Sequence, residues 1–249
     1  MRIPIVAGNW KMNGSASFAN EMCQQINAFA ADLDVEVVLS PPSVYLAQVQ
    51  LAAENYSTAA QNVHFAAAGA YTGEVSTAML RDVGCGYVLI GHSERRAMFA
   101  EIQEVLAKKL AAAVEAKLLP ILCVGETLEQ RQQGQAFAVV KQQLLSAISG
   151  LDITADQIVV AYEPIWAIGT GETASPEQAQ EMHSYIRTVL AEQISVAMAA
   201  KTRILYGGSV NAETASQLFS QPDIDGGLVG GASLKIEDFK NICSAAASQ

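Results

Sequence analysis

Ile158-Val159-Val160-Ala161-Tyr162-Glu163-Pro164-Ile165-Trp166-Ala167-Ile168-Gly169-Thr170-Gly171 is the stretch around which the rest of the chain reads. Its first five residues are an apolar run of the kind that makes a buried strand. Glu163 stands at the C-terminal edge of that run, and Pro164 stops both strand pairing and any immediate helix. An apolar loop closed by glycine follows. A carboxylate at a strand end beside such a loop reads as a base under a lid. The competing reading is a solvated turn acid next to a loop that packs on the core.

Seven further runs resemble this one, at residues 5–7, 35–39, 57–61, 87–90, 119–124, 204–206 and 227–229. Between the runs lie segments rich in Ala, Gln, Glu and Leu that favour helix, among them 18–31, 44–53, 102–117, 127–148, 176–198 and 212–219. Strict alternation of strand and helix predicts parallel strands joined by right-handed crossovers. Eight such units in 249 residues fit a closed eight-stranded parallel (β/α)8 barrel formed by a single domain, 1–249. A doubly wound open sheet is the alternative, because alternation does not itself show closure. Ser175-Pro176 reads as a cap followed by Pro at the first helical position, and Gly150 as a helix stop. The connection 62–76, with Gly69-Ala70-Tyr71-Thr72-Gly73-Glu74 inside it, is too long and too aromatic for a minimal turn. It either covers its own barrel mouth or enters a partner subunit.

With 51% hydrophobic and 16% charged residues the chain can bury a substantial core. No run approaches the roughly 18 apolar residues of a membrane span, and Met1-Arg2-Ile3-Pro4 leads into the first strand without a secretory segment, so a soluble, cytoplasmic protein is expected. Cys23, Cys85, Cys123 and Cys243 are widely spaced, which predicts reduced, buried thiols rather than a metal clip or a disulfide framework. A formal charge of −10 argues against nucleic acid or an anionic membrane as partner. An anionic small substrate would need local help. After Arg2 the only Lys or Arg before Arg81 is Lys11, just beyond the first strand, which makes it a candidate for an electrostatic role.

In such a barrel the C-terminal strand ends converge on one site. Standing there are Asn9 and Lys11, the stretch Gly91-His92-Ser93-Glu94-Arg95-Arg96, then Gly125 and Glu126, then Glu163, and the glycine turns Gly207-Gly208-Ser209 and Gly230-Gly231. Taking a proton from a carbon next to a carbonyl needs a carboxylate base, a donor to the carbonyl oxygen and positive potential where enediolate charge develops. Glycine turns leave backbone N–H groups free to approach a phosphate. His92 could equally be a satisfied loop histidine, but a helix start at Ser93 would hold its ring uncharged. Glu94 reads as a second base or, more simply, as an acid paired with Lys11 or Arg95. Arg95 and Arg96 read as phosphate ligands or as ion-pair partners of Glu74, Glu94 or other acids. Gly169-Thr170-Gly171-Glu172-Thr173-Ala174 matches a loose dinucleotide pattern, but it begins six residues too late after its strand. No spacing of metal ligands appears, and the ends of strands five to seven carry no lysine for Schiff-base chemistry.

Together, Ala7-Gly8-Asn9-Trp10-Lys11-Met12-Asn13-Gly14, the 69–74 loop, Gly91 to Arg96, Ala161 to Gly171, Tyr206 to Val210 and Val229 to Gly231 closely resemble the triosephosphate isomerase family in order and spacing. The resemblance spans essentially the whole chain and implies a TIM barrel. It also implies interconversion of dihydroxyacetone phosphate and D-glyceraldehyde 3-phosphate, in glycolysis and gluconeogenesis, without cofactor or metal. The glutamate base and neutral histidine electrophile are inherited with the resemblance: Glu163 and His92 match those positions. Asn9 and Lys11 match the remaining polar stabilisers, and Gly169, Ser209, Gly230 and Gly231 match the phosphate cradle. Residues 164–174 resemble the family's lid, which excludes water and limits loss of phosphate. The loop 69–76 resembles its homodimer loop, with Thr72 inserted near Asn9 and Lys11 of the partner subunit and Glu74 pairing across the interface with Arg95. Glu172 departs from the pattern, standing at the lid's C-terminal hinge where many relatives have Lys. Another phosphate-binding (β/α)8 enzyme acting on a larger sugar phosphate is the alternative, and a non-catalytic binding barrel is the third reading.

Overall fold

In chain order the elements are β1 (Ile5–Asn9), α1 (Ala16–Ala30), β2 (Glu36–Ser40), α2 (Ser43–Leu51), β3 (Ser57–Ala60), α3 (Thr77–Asp82), β4 (Tyr87–Ile90), α4 (Ser93–Met98), α5 (Gln103–Glu115), β5 (Leu119–Val124), α6 (Leu128–Gln132), α7 (Ala136–Ile148), β6 (Val159–Tyr162), α8 (Pro176–Gln193), α9 (Val196–Lys201), β7 (Arg203–Tyr206), α10 (Ala212–Phe219), β8 (Gly226–Val229) and α11 (Ile236–Ala247). The computed structural model describes residues 2–169 and 173–248. β1 pairs in parallel with both β2 and β8, and that second pairing closes the barrel and excludes the open sheet.

Side chains alternate across each strand, so the barrel has two apolar layers. Inside it lie Ile5, Ala7, Val38, Ala59, Tyr87, Leu89, Ile121, Cys123, Val159, Ala161, Leu205 and Leu228, a filled interior rather than a pore. The alternate set, including Val6, Val37, Val88, Leu122, Val160 and Ile204, faces the helices and joins the larger outer core. This two-sided burial is why the strands read as continuous apolar runs. The four cysteines are buried and free. Among the described residues no helix is long and apolar enough to cross a membrane.

The eight strand positions agree with expectation to within one or two residues. Two helical segments break in a way the composition hid. The 127–148 segment divides into α6 and α7 at Gly134, whose φ of +72° favours glycine. The 176–198 segment divides at Ser195, whose side chain caps α9 by accepting from the Met198 N–H at 3.0 Å. Ser175 does cap α8, accepting from Gln178 N–H, with Pro176 in the first turn. α11 was absent from the predicted helices, although its buried Phe239, Ile242, Cys243 and Ala246 carry the helical period.

Lys117 ends α5 at φ +59°, where its N–H donates to Val114 O and the Leu118 N–H to Ala113 O. That left-handed position favours glycine. Lys117 is exposed, so Lys117→Gly is expected to stabilise the fold by about 1 kcal/mol. Urea unfolding checks it, and an unchanged or lower midpoint would contradict it.

Candidate active site

The alternation that fills the barrel also aims the strand ends. Asn9 continues the inward series of Ile5 and Ala7, and Glu163 continues that of Val159 and Ala161. Gln61 follows Ala59, and Gly230 follows Leu228, in the same phase. His92 would fall out of phase with Leu89, but Gly91 at φ +75° turns the chain between them. Asn9, Lys11, His92, Glu163, Gly169, Ser209, Gly230 and Gly231 all line one cavity of about 300 Å³. All eight residues singled out from the sequence are therefore brought together. A larger hollow of about 460 Å³ lies between α2, α3 and residues 73–75, but neither Glu163 nor His92 lines it, so it is not where these groups act.

Glu163 is 2% exposed. One carboxylate oxygen accepts from the Ser93 N–H at 2.9 Å, and the other lies 3.0 Å from His92 Nε2. His92 Nδ1 accepts from the Glu94 N–H at 3.2 Å, which assigns the ring proton to Nε2. Lys11 sits at φ +51°, its N–H donating to Asn9 Oδ1 and its carbonyl accepting from Gln61 Nε2. Its ammonium pairs with Glu94 at 2.5 Å, which settles Glu94 as a paired acid. A Cβ on Gly230 would lie 3.4 Å from Lys11 Cε, so the cation stands beside the last glycine turn. Ser209 donates both its N–H and its hydroxyl to Ala167 O, tying the β7 turn to the loop after Glu163.

The family model described as triosephosphate isomerase matches residues 4–246. The chain belongs to that family. Similar proteins named triosephosphate isomerase include one from Hydrogenovibrio crunogenus, 51% identical over the whole of both chains. Another, from Marinobacter nauticus, is 51% identical over 98% of this chain and 97% of its own. A third, from Alkaliphilus oremlandii, is 49% identical over 97% of this chain and 99% of its own. The triosephosphate isomerase match covers every strand and every cavity residue named above.

Some parts of this triosephosphate isomerase fold went unread in the sequence. Glu126 received no role there, yet it is fully buried and out of phase with the cavity, in the outer layer. Its Oε1 accepts from Tyr162 Oη at 3.0 Å, Trp166 Nε1 at 3.0 Å and Arg131 at 3.1 Å. The Arg131 guanidinium also lies over the Trp166 ring. The signal available was Tyr162 and Trp166 flanking Glu163, with an acid two residues beyond the neighbouring strand. Arg95 pairs with Glu101, which Lys109 also holds, and lies over Phe99. Arg96 takes neither expected part: it donates to Gly91 O, Gln103 Oε1 and Cys123 O, bracing the β4 and β5 ends from behind. Residues 67–74 are exposed and none of residues 62–76 lines the cavity, so the loop does not cover its own barrel mouth. Residues 170–172, with Glu172, lie outside the described residues.

Behind Tyr162 and Tyr206, His183 of α8 is completely buried, and burial pushes its pKa down to about 3. The folded protein refuses a proton that the unfolded chain accepts near pH 6.5. Stability from this group is therefore intact above pH 6.5 and is lost as pH falls from there toward 3. Well inside that window the loss approaches about 1.4 kcal/mol per pH unit. Denaturant titrations at pH 7, 5 and 4 check this: His183→Phe should show a shallower acid loss than the parent, and equal slopes would refute it.

Proposed function

We propose that this chain, as a single domain 1–249, interconverts dihydroxyacetone phosphate and D-glyceraldehyde 3-phosphate by proton transfer through an enediolate, the isomerase step of glycolysis and gluconeogenesis. The observation that carries the reading is the pairing of Glu163 with His92 Nε2 at 3.0 Å, in a cavity whose other wall holds Lys11 and the glycine turns. Glu163 removes the proton from one substrate carbon and returns it to the neighbouring one. Its carboxylate now rests on the Ser93 N–H and must leave that donor to reach substrate. His92, protonated on Nε2, donates to the carbonyl oxygen, and Asn9 and Lys11 stabilise the negative charge that develops there. Gly169, Ser209, Gly230 and Gly231 supply backbone N–H groups to phosphate, for which Ser209 exchanges its bond to Ala167 O. Residues 164–174 act as the lid that keeps water from the enediolate and so limits loss of phosphate. Base, donor and cation all come from the chain, so the chemistry calls for no cofactor and no metal.

A cavity of about 300 Å³ is at the small end for ligand sites, which favours a triose phosphate over a larger sugar phosphate. Incubation with glyceraldehyde 3-phosphate in deuterated water tests the reading. Dihydroxyacetone phosphate carrying one solvent-derived deuterium is expected, and turnover of larger sugar phosphates alone would overturn it.

The protein works as a cytoplasmic homodimer through the 69–76 loop, with neither nucleic acid nor membrane as partner. Supporting the dimer, Tyr71 at the loop tip is 46% exposed, and Met12, Met98 and Phe99, which line one hollow with Lys11 and Arg95, are more so, apolar surface of the kind subunits cover. Thr72 is exposed at the same tip and in this reading enters a second subunit, where Glu74 shares Arg95 of the partner subunit with Glu101 of the partner subunit. Sedimentation at micromolar concentration should give twice the mass of one 26.4 kDa chain. A monomer would refute the dimer.

A further inference from the structure

Two tyrosines stand under the start of the 164–174 loop. Tyr162 Oη donates to Glu126, which also holds the Trp166 indole at the loop's start. Tyr206 Oη has no hydrogen-bond partner among the described residues, and a Cβ on Gly208 would come within 2.3 Å of that oxygen and 3.0 Å of Pro164 Cγ, which sets the hydroxyl beside the loop's first residue. Both tyrosines point out of the barrel, toward α8, and the side chain that meets both rings there is His183. Its ring meets Tyr162 edge-on at 5.9 Å and 85°, and Tyr206 at 6.4 Å and 33°. It is held from behind, with Nδ1 against Asp223 O at 3.2 Å, while Nε2 has no partner among the described residues. A polar ring buried with one nitrogen unsatisfied costs stability relative to an apolar side chain of similar shape, so something other than stability accounts for its place.

We propose that His183 is a positioning residue for the lid: its ring, fixed by Asp223, sets the tilt of Tyr162 and Tyr206 and thereby holds the start of the loop, where Tyr162 reaches Trp166 through Glu126 and Tyr206 lies beside Pro164. His183 does not line the cavity, and its effect passes through the two tyrosines, Tyr162 by its bond to Glu126 and Tyr206 by its packing beside Pro164. The operative feature is the ring, since Asp223 O keeps a second donor in Arg187 Nη2 at 3.2 Å if the imidazole nitrogen is removed. The inference rests on the lid reading above.

The test uses the full-length protein with glyceraldehyde 3-phosphate, well below each variant's melting temperature, and follows two quantities: kcat/KM and inorganic phosphate released per turnover. His183→Asn keeps a donor toward Asp223 O but removes the ring. It is expected to lower kcat/KM by about 10-fold or more, mostly in kcat, and to raise the phosphate released. His183→Phe keeps the ring and loses the donor, and both quantities should stay close to the parent's. A purely structural residue would lower the melting temperature in both variants and leave phosphate release unmoved, and that result would overturn the inference. If His183→Asn does not fold, His183→Gln replaces it with the same expectation, and a His183→Phe variant that releases phosphate freely would by itself overturn the inference. A parent that loses phosphate in most turnovers would instead overturn the lid reading, and this inference with it.

Discussion

Glu163→Gln is expected to lower kcat/KM for the triose phosphates by about 10³-fold, the middle of the range that a positioned general base contributes. The change removes the proton acceptor and little else in shape. A glutamine oxygen can still accept from the Ser93 N–H, but its amide nitrogen would then face His92 Nε2–H, donor against donor, across the present 3.0 Å. His92 cannot simply switch tautomer, because Nδ1 is already accepting from Glu94 N–H. A second, smaller loss should therefore come from a displaced imidazole, visible as a fall in kcat beyond that of Glu163→Ala, which leaves the ring alone. Steady-state kinetics in both directions, with thermal melting as the control, measures it. A loss of less than about tenfold would remove Glu163 from the role of base.

Gly125→Ala is expected to be as damaging from a position that touches no substrate. A Cβ there would lie 1.7 Å from Glu163 O and 2.7 Å from its carbonyl carbon, backbone atoms that cannot swing aside. The obstruction is a close approach between the ends of β5 and β6, where Glu163 N–H also donates to Val124 O at 2.8 Å. Gln143 pins the Gly125 peptide from the other side, accepting from its N–H and donating to its carbonyl. With both sides held, the strain must move the β6 end and Glu163 with it. A loss of about 3 kcal/mol or more in stability is expected, together with most of the activity. Unfolding midpoint and kcat measured on one preparation decide it, and parental values for both would show that the two strand ends can separate freely.

The candidate site was legible in the sequence because its residues are of uncommon type for their places. Glu163 closing an apolar run, Lys11 alone among the early residues and paired glycines after the last two strands stand out without any structure. Family membership was carried by the order of the same motifs. Glu126 was not legible, because its role depends on which side of the barrel wall it faces. It follows Cys123 by three residues and Glu163 follows Ala161 by two, and that difference in phase sends one carboxylate outward and the other into the cavity. Arg96 was misjudged for a related reason: charge suggests an ionic partner, but its neighbours at the β4 and β5 ends are carbonyl oxygens.

By itself the sequence determined the alternation of strand and helix, the strand positions and the residue types gathered at the strand ends, since these follow from local periodicity and composition. Closure was decided only in three dimensions, because the hydrogen bonds between β1 and β8 join residues some 220 positions apart and no local pattern encodes them. The tertiary structure also decided where His92 points, through the turn at Gly91, and which charges are paired within the chain: Lys11 with Glu94, and Arg95 with Glu101. Pairing of that kind depends on which strand ends become neighbours when the barrel closes, and only then does Glu163 meet His92 and Tyr162 meet His183.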